Sequence, residues 1–321
     1  MRVAVVGAGQ MGSSHARVVA GSADAELAVV VDIDAEAAKR LANQYGAQAA
    51  TELDAAFDCD AVIVAGSTAA RMECVRPLLE AGRPLLVEKP FAPTLAEVDE
   101  LLELARSQRL VVMCGFVERF NAALRTAVAT LDGPPLHLLA VRHSPPAPRI
   151  ASSVVTDLML HDLDVAQRLF GHRPATLAGA ACVRPPHSPF CEVADATIDF
   201  GAADGEERGV ATLSANRMGQ RKVRSLSVYT STQLIEVDLL RQDVTVYRNV
   251  SQDMALTGGG PGYRSSTEIE LPFVRHTGEP LTLQFAHFLG LVRGDADAAE
   301  EFRQIRPAHV LADAIEAQSQ H

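Results

Sequence analysis

Arg2-Val3-Ala4-Val5-Val6-Gly7-Ala8-Gly9-Gln10-Met11-Gly12 decides the fold. A short apolar run of strand type passes directly into a turn that fits G-x-G-x-x-G. Ser13 to Val19 then reads as a helix, and Leu27-Ala28-Val29-Val30-Val31 as a second strand. Asp32 ends that strand, 20 residues beyond Gly12. Strand, glycine turn, helix, strand and acid in this order form a dinucleotide-binding unit.

Each residue type has a physical role. Gly7 permits the tight turn. Gly9 lacks a Cβ and lets a pyrophosphate approach the backbone, and Gly12 lets the helix pack closely on the sheet. The helix N-terminus at Gln10 and Met11 offers N–H groups and a positive dipole end to the phosphates. Asp32 suits a ribose diol. A 2′-phosphate there would meet like charge, and the next residue is Ile33 rather than arginine. NAD is therefore expected over NADP, unless a basic residue folds in from elsewhere. The bland alternative is an ordinary βαβ unit that binds no coenzyme.

The signals alternate onward through a helix at Ala35–Tyr45, a strand at Ala61–Ala65 and a helix at Ala70–Ala81. A strand at Pro84–Val87, a helix at Leu95–Gln108 and a strand at Leu110–Cys114 follow. This predicts a doubly wound α/β Rossmann domain over residues 1–118. Past Phe116 strand signals gather: Leu136–His143, Glu192–Phe200, Arg208–Asn216, Val223–Tyr229, Gln233–Leu239 and Asp243–Arg248, with Asp204-Gly205 as a hairpin turn. A helix at Val155–Phe170 interrupts them, and helices at Thr282–Val292 and Ala308–Ala317 close the pattern. Residues 119–321 are expected to form an α+β domain with an open, mainly antiparallel sheet. Gly258 to Gly262 reads as a flexible loop.

Composition narrows the function. The 321 residues are 48% hydrophobic and 21% charged, a globular balance long enough for two domains. A net charge of −11 argues against nucleic-acid binding. No run has the length of a membrane span, and the immediate strand leaves no room for a signal peptide. Cys59, Cys74, Cys114, Cys182 and Cys191 form no C-x-x-C pair and no zinc pattern, so no metal is expected and buried thiols in a reducing cytoplasm are.

Two segments carry candidate chemistry. Glu88-Lys89-Pro90 follows the Pro84–Val87 strand at its carboxyl end, where open α/β sheets bind ligands. The Lys89 ammonium could stabilise developing alkoxide charge, and a cis Pro90 would fix its direction. On spacing alone a solvated lysine in a turn is the simpler reading. Asp157 and His161 stand at i and i+4, on one helix face. A carboxylate beside an imidazole can fix its tautomer and raise its basicity, which suits a base that takes a hydroxyl proton as hydride leaves carbon. Taken alone, an exposed ion pair would account for these two.

The chain resembles the Gfo/Idh/MocA oxidoreductases. The resemblance rests on Val6 to Gly12, Val31-Asp32-Ile33-Asp34, Val87-Glu88-Lys89-Pro90-Phe91, Gly115-Phe116-Val117-Glu118-Arg119-Phe120-Asn121 and Asp157-x-x-x-His161-Asp162, in the family's order. It implies hydride exchange between a pyridine nucleotide and a sugar or polyol hydroxyl, a catalytic group of Lys89, Asp157 and His161 with His161 as general base, and a homodimer or homotetramer. The expected coenzyme contacts are Gly7, Gly9, Gln10, Met11, Gly12, Asp32, Ile33, Ser67, Thr68, Arg71, Glu88 and Lys89. Two departures stand out: Gly66-Ser67-Thr68-Ala69-Ala70-Arg71 replaces a Thr-Pro segment ending in histidine, and Ala122 replaces a proline.

Glu118 to Asn121 and Arg142 to Ile150 are similar to the branch that oxidises nucleotide sugars, the UDP-N-acetylglucosamine 3-dehydrogenases. Substrate contacts are expected from Arg119, Asn121 and Arg149 beside Lys89, Asp157 and His161. Arg149 would present a guanidinium to a diphosphate. A structural loop is an equal reading of that segment. Free sugars, inositols and aminocyclitols stay open as substrates. So do an NAD-dependent glycosidase, which would form product without net NADH, and a non-catalytic NAD-binding regulator, which would not need Lys89, Asp157 and His161 together.

Overall fold

The computed structural model describes residues 1–146, 152–171, 173–186, 188–201, 208–255 and 261–318, apart from the side chains of 251–265. The chain forms two compact units. One is Met1–Val117 with Gly278–Asp313, the other Glu118–Thr277 with Ala314–His321.

The first unit is built on β1 (Arg2–Val6), β2 (Glu26–Val31), β3 (Gln48–Ala50), β4 (Ala61–Val64), β5 (Leu85–Val87) and β6 (Val112–Cys114). They form a parallel sheet in the order β3-β2-β1-β4-β5-β6. β4, β5 and β6 are buried along their whole length, which is why they read as unbroken apolar runs. Helices α1 (Gln10–Ala20), α2 (Ala35–Tyr45), α3 (Arg71–Glu80) and α4 (Leu95–Ser107) connect them. Their ends are written locally: Asp34 caps α2 at the amides of Glu36 and Ala37, Gly46 closes it at a φ of 71°, and Thr94 with Glu97 forms a capping box on α4. β1 lies between β2 and β4, so the strand order reverses there and opens a crevice at the carboxyl ends. The unforeseen β3 is a largely exposed edge strand with no apolar run to betray it.

The second unit contains α5 (Ala122–Thr130), β7 (His137–His143), a π-turn at Val155–Met159, α6 (Leu160–Leu169), β8 (Ala175–Val183), β9 (Val193–Phe200), β10 (Gly209–Asn216), β11 (Val223–Tyr229), β12 (Gln233–Asp238), β13 (Asp243–Ala255) and β14 (Pro261–Glu270). The sheet order is β14-β13-β12-β11-β7-β10-β9-β8. Only the central β7–β10 pair is parallel among these neighbours. One face alternates into the core through Leu138, Ala140, Ala194, Ala196, Ile198, Ala211, Leu213 and Ala215, under α6 and the π-turn. β8, rich in Ala and Gly, lacks the β-branched signal of a strand. Of the expected glycine loop, Gly258–Gly260 lies outside the described residues, while Pro261 and Gly262 open β14. Asp204-Gly205 lies outside them too.

The expected boundary needs one correction. Residues 278–313 belong to the first unit, not the second. Here α7 (Pro280–Arg293) packs on α1 and α8 (Ala298–Arg303) on β6. Arg17 pairs with Glu279 at 2.7 Å, and Arg306, at the start of α9 (Arg306–Gln318), with Asp99 at 2.6 Å. An amphipathic helix carries no mark of which apolar surface it covers, so the sequence could not assign these elements.

Candidate functional site

The glycine turn has the close packing its sequence implies. Gly7 adopts a φ of 102°, and a Cβ there would meet the Gly66 backbone nitrogen at 2.5 Å. A Cβ on Gly12 would overlap the Gly7 carbonyl oxygen. Gly9 differs, since a Cβ there would point into open space at the head of α1. That helix has no side-chain cap and no acid in its first turn, so its N-terminal amides suit a phosphate group. Asp32 accepts the Ala8 amide at 2.6 Å through Oδ2 and the Asp34 amide at 2.9 Å through Oδ1. Its carboxylate is thereby locked to the turn. A cleft of about 410 Å³ runs from Gly7 past Asp32 and Ile33 to Ser67 and Glu73. Uncapped amides, an open position at Gly9 and a fixed carboxylate fit a pyridine dinucleotide. Gly7, Gly9, Gln10, Met11 and Gly12 would hold its phosphates and Asp32 its ribose.

The Glu88-Lys89-Pro90-Phe91 segment leaves β5 with a cis Lys89–Pro90 bond. Glu88 is buried, and its Oε1 lies 2.8 Å from His15 Nε2 on α1. Burial pushes the Glu88 carboxyl up, but the His15 hydrogen bond and the charges of His15, Lys89 and Arg71 hold it below the usual range. The Phe91 amide donates to His309 Nε2 at 3.0 Å, and His309 Nδ1 donates to the Ile305 carbonyl at 2.7 Å. Gly115 runs so close that its Cβ would lie 3.0 Å from the Glu88 Cα. Lys89 itself is half-buried.

In the second unit, Asp157 stands in the π-turn and His161 on the first turn of α6. The expected continuous α-helix is therefore widened at Asp157, one turn before His161, a distortion common at functional sites. Arg217, past the end of β10, is buried. It donates to Asp157 Oδ2 at 3.3 Å, Glu192 Oε2 at 2.8 Å and the Ser152 carbonyl at 2.6 Å. Asp162 packs inward onto Arg142, which forks onto it at 2.8 Å and reaches Glu118 at 2.9 Å. Burial works against the Arg142 charge, but Asp162 and Glu118 outweigh it and raise its pKa above the arginine norm.

Arg119 is buried and forks onto Asp164, with Nε to Oδ2 at 2.9 Å. Asn121 caps α5 at the Ala123 amide and donates to the Leu239 carbonyl at 3.0 Å. Both side chains thus have partners within their own unit. Arg149 lies outside the described residues. Ser67 lines the dinucleotide cleft, Thr68 begins a 3-10 turn beside it, and Arg71 is buried with its guanidinium on backbone carbonyls. Sequence reasoning missed His15, His309 and Arg217. His15, three residues past Gly12 on α1, had a local signal in its spacing. The other two come from distant segments and had none.

Residues 1–116 match a family model described as "Oxidoreductase family, NAD-binding Rossmann fold", the Gfo/Idh/MocA group. A UDP-N-acetylglucosamine 3-dehydrogenase of Acidithiobacillus ferrooxidans is 29% identical over 82% of this chain and 81% of its own. An inositol 2-dehydrogenase of Rhizobium meliloti is 26% identical over 98% of this chain and 95% of its own. A solved structure of the A. ferrooxidans enzyme superposes with a TM-score of 0.85, at 25% identity over 100% of this chain and 98% of that one. KijD10, a 3-ketoreductase from Actinomadura kijaniata solved with TDP-benzene and NADP, gives 0.82 at 17% identity over 99% of this chain and 98% of that one, a likeness of fold alone. With the glycine turn, the Asp32 lock and the Glu88-Lys89-Pro90 segment in their places, residues 1–116 are an NAD(P)-binding Rossmann domain of the Gfo/Idh/MocA type, and the chain is a dehydrogenase.

Proposed function

We propose that this enzyme oxidises a secondary hydroxyl of a sugar, in particular a nucleotide sugar, or reduces the corresponding ketone, with NAD as its coenzyme. The Asp32 lock on the glycine turn carries the coenzyme part of the reading. A bound 2′-phosphate would face Asp32 together with Glu52 and Glu73, which line the same cleft. Three carboxylates along one cleft favour the diol of NAD over the extra phosphate of NADP.

The bound nicotinamide supplies the hydride acceptor. Lys89, Asp157 and His161 form the catalytic group. The His161 imidazole takes the hydroxyl proton as the C–H bond breaks, and returns it in the reverse direction. The Lys89 ammonium donates to the same oxygen and stabilises its growing negative charge. Asp157, steadied by Arg217, orients the substrate and tunes the proton transfer. The similarity to a UDP-N-acetylglucosamine 3-dehydrogenase over four-fifths of both chains supports the nucleotide-sugar assignment.

The test is a panel of UDP-sugars, free sugars, myo-inositol and aminocyclitols, each with NAD and with NADP, followed by absorbance of the reduced coenzyme. NAD-linked oxidation of a UDP-sugar above all other substrates is the expected result. Preferred turnover of inositol or a free sugar overturns the substrate class, and product without net NADH overturns the reaction.

A further inference from the structure

Arg71 is the residue at which this chain departs from the family's histidine, and it was expected in the coenzyme site. It begins α3 with only 3% of its surface exposed. Nη1 donates to the carbonyls of both Glu88 and Pro90, and Nη2 to the Gly66 carbonyl at 3.1 Å. Those three oxygens lie just past β4 and on either side of Lys89. Burial lowers the pKa of this guanidinium and the charge of Glu88 opposes the fall; an arginine nonetheless keeps its proton.

A buried charge held largely by backbone carbonyls is costly. A plain turn does not need one. The rest of the segment is also tied down: the Glu88 carboxylate to His15, the Phe91 amide to His309, and the Glu88 backbone against Gly115. Glu88, Pro90 and Phe91 are buried, and Lys89 between them is only half so. Arg71 grips the chain both immediately before and immediately after that lysine.

We infer that Arg71 is a positioning residue, a guanidinium clamp that fixes the backbone around Lys89 and so the direction of its ammonium. This rests on the reading of Lys89 as catalytic. Arginine suits the task because its planar fork spreads five N–H donors over three nitrogens in a fixed geometry, whereas lysine and glutamine each donate from a single nitrogen.

The experiment compares wild type with Arg71→Lys and Arg71→Gln, and uses Lys89→Met as a control on the reading itself. Turnover is measured with NAD and two probes, UDP-N-acetylglucosamine and myo-inositol. Amide hydrogen exchange is measured at Glu88, Lys89 and Phe91, a readout that needs no substrate. Exchange should quicken at those amides in both Arg71 variants and stay unchanged along β1 and β2. The kcat should fall roughly 100-fold in Arg71→Gln, the scale of an ångström-sized misplacement, with the KM for NAD unmoved. Arg71→Lys, which keeps the buried charge and a single donating nitrogen, should recover part of the loss, and it carries the test if Arg71→Gln does not fold. Unchanged exchange in a folded variant overturns the clamp. So does a loss confined to the KM for NAD, which would make Arg71 a coenzyme contact. Wild-type turnover in Lys89→Met removes the catalytic reading of Lys89 instead, and the exchange data still decide the clamp.

Discussion

Asp32 Oδ2 accepts the Ala8 amide at 2.6 Å, so the acid that follows β2 is fastened to the turn that follows β1. One carboxylate both shapes the glycine turn and lines the cleft proposed for the coenzyme. Asp32→Ala is expected to weaken NAD binding and to relax discrimination against NADP. Titration of both coenzymes by fluorescence checks this. An unchanged preference would show that Glu52, Glu73 or another group sets it.

Gly12→Ala should do more damage than its single methyl suggests. The added carbon collides with the Gly7 carbonyl oxygen, which is backbone and cannot swing aside. Helix α1 must shift off the sheet, at a cost of about 1–3 kcal/mol for overpacking. Urea unfolding measures that loss, and NAD affinity should fall with it. Gly9→Ala meets nothing within 4 Å and should fold normally while losing NAD affinity.

The His15–Glu88 contact makes stability depend on acid. The Glu88 carboxyl ionises below its usual range in the fold, since its charged partners outweigh the opposing effect of burial. A carboxyl depressed on folding stabilises fully above its unfolded value of about 4.3, and that contribution fades as the pH drops through the lower folded value. Thermal melts should therefore fall steeply below about pH 4. Glu88→Gln should melt lower at neutral pH and show a shallower acid limb. Parallel acid limbs in the two proteins would contradict the assignment.

Arg142→Leu should be among the most destabilising changes in the second unit. Arg142 is 1% exposed and serves both Asp162 and Glu118. Removing it takes the Arg142 cation from two buried carboxylates, a loss of about 3–5 kcal/mol. Denaturant unfolding of the variant against wild type measures it.

Much of the first unit was legible because its signals are local. Strand β1, the glycine turn and the run of β2 ending in Asp32 each announce themselves within a few residues. The apolar runs of β4 and β5 follow from burial on both faces. The edge strand β3 and the Ala-rich β8 lacked any such pattern. Asp157 and His161 were visible as a spaced pair, but the π-turn that holds Asp157 was not. The partners of the candidate site were hidden for a simpler reason. Arg217 reaches Asp157 across 60 residues and His309 reaches Phe91 across 218, and one sequence records no such contacts.

The most direct test of the whole account is NADH formation by wild type and His161→Asn at saturating NAD and UDP-sugar, with NAD binding measured alongside. Wild type should reduce NAD. The variant should bind NAD equally well and turn over roughly 10²–10⁴-fold more slowly, the usual contribution of a general base. Equal turnover in the two proteins would contradict the assignment of His161, and with it the mechanism proposed for this enzyme.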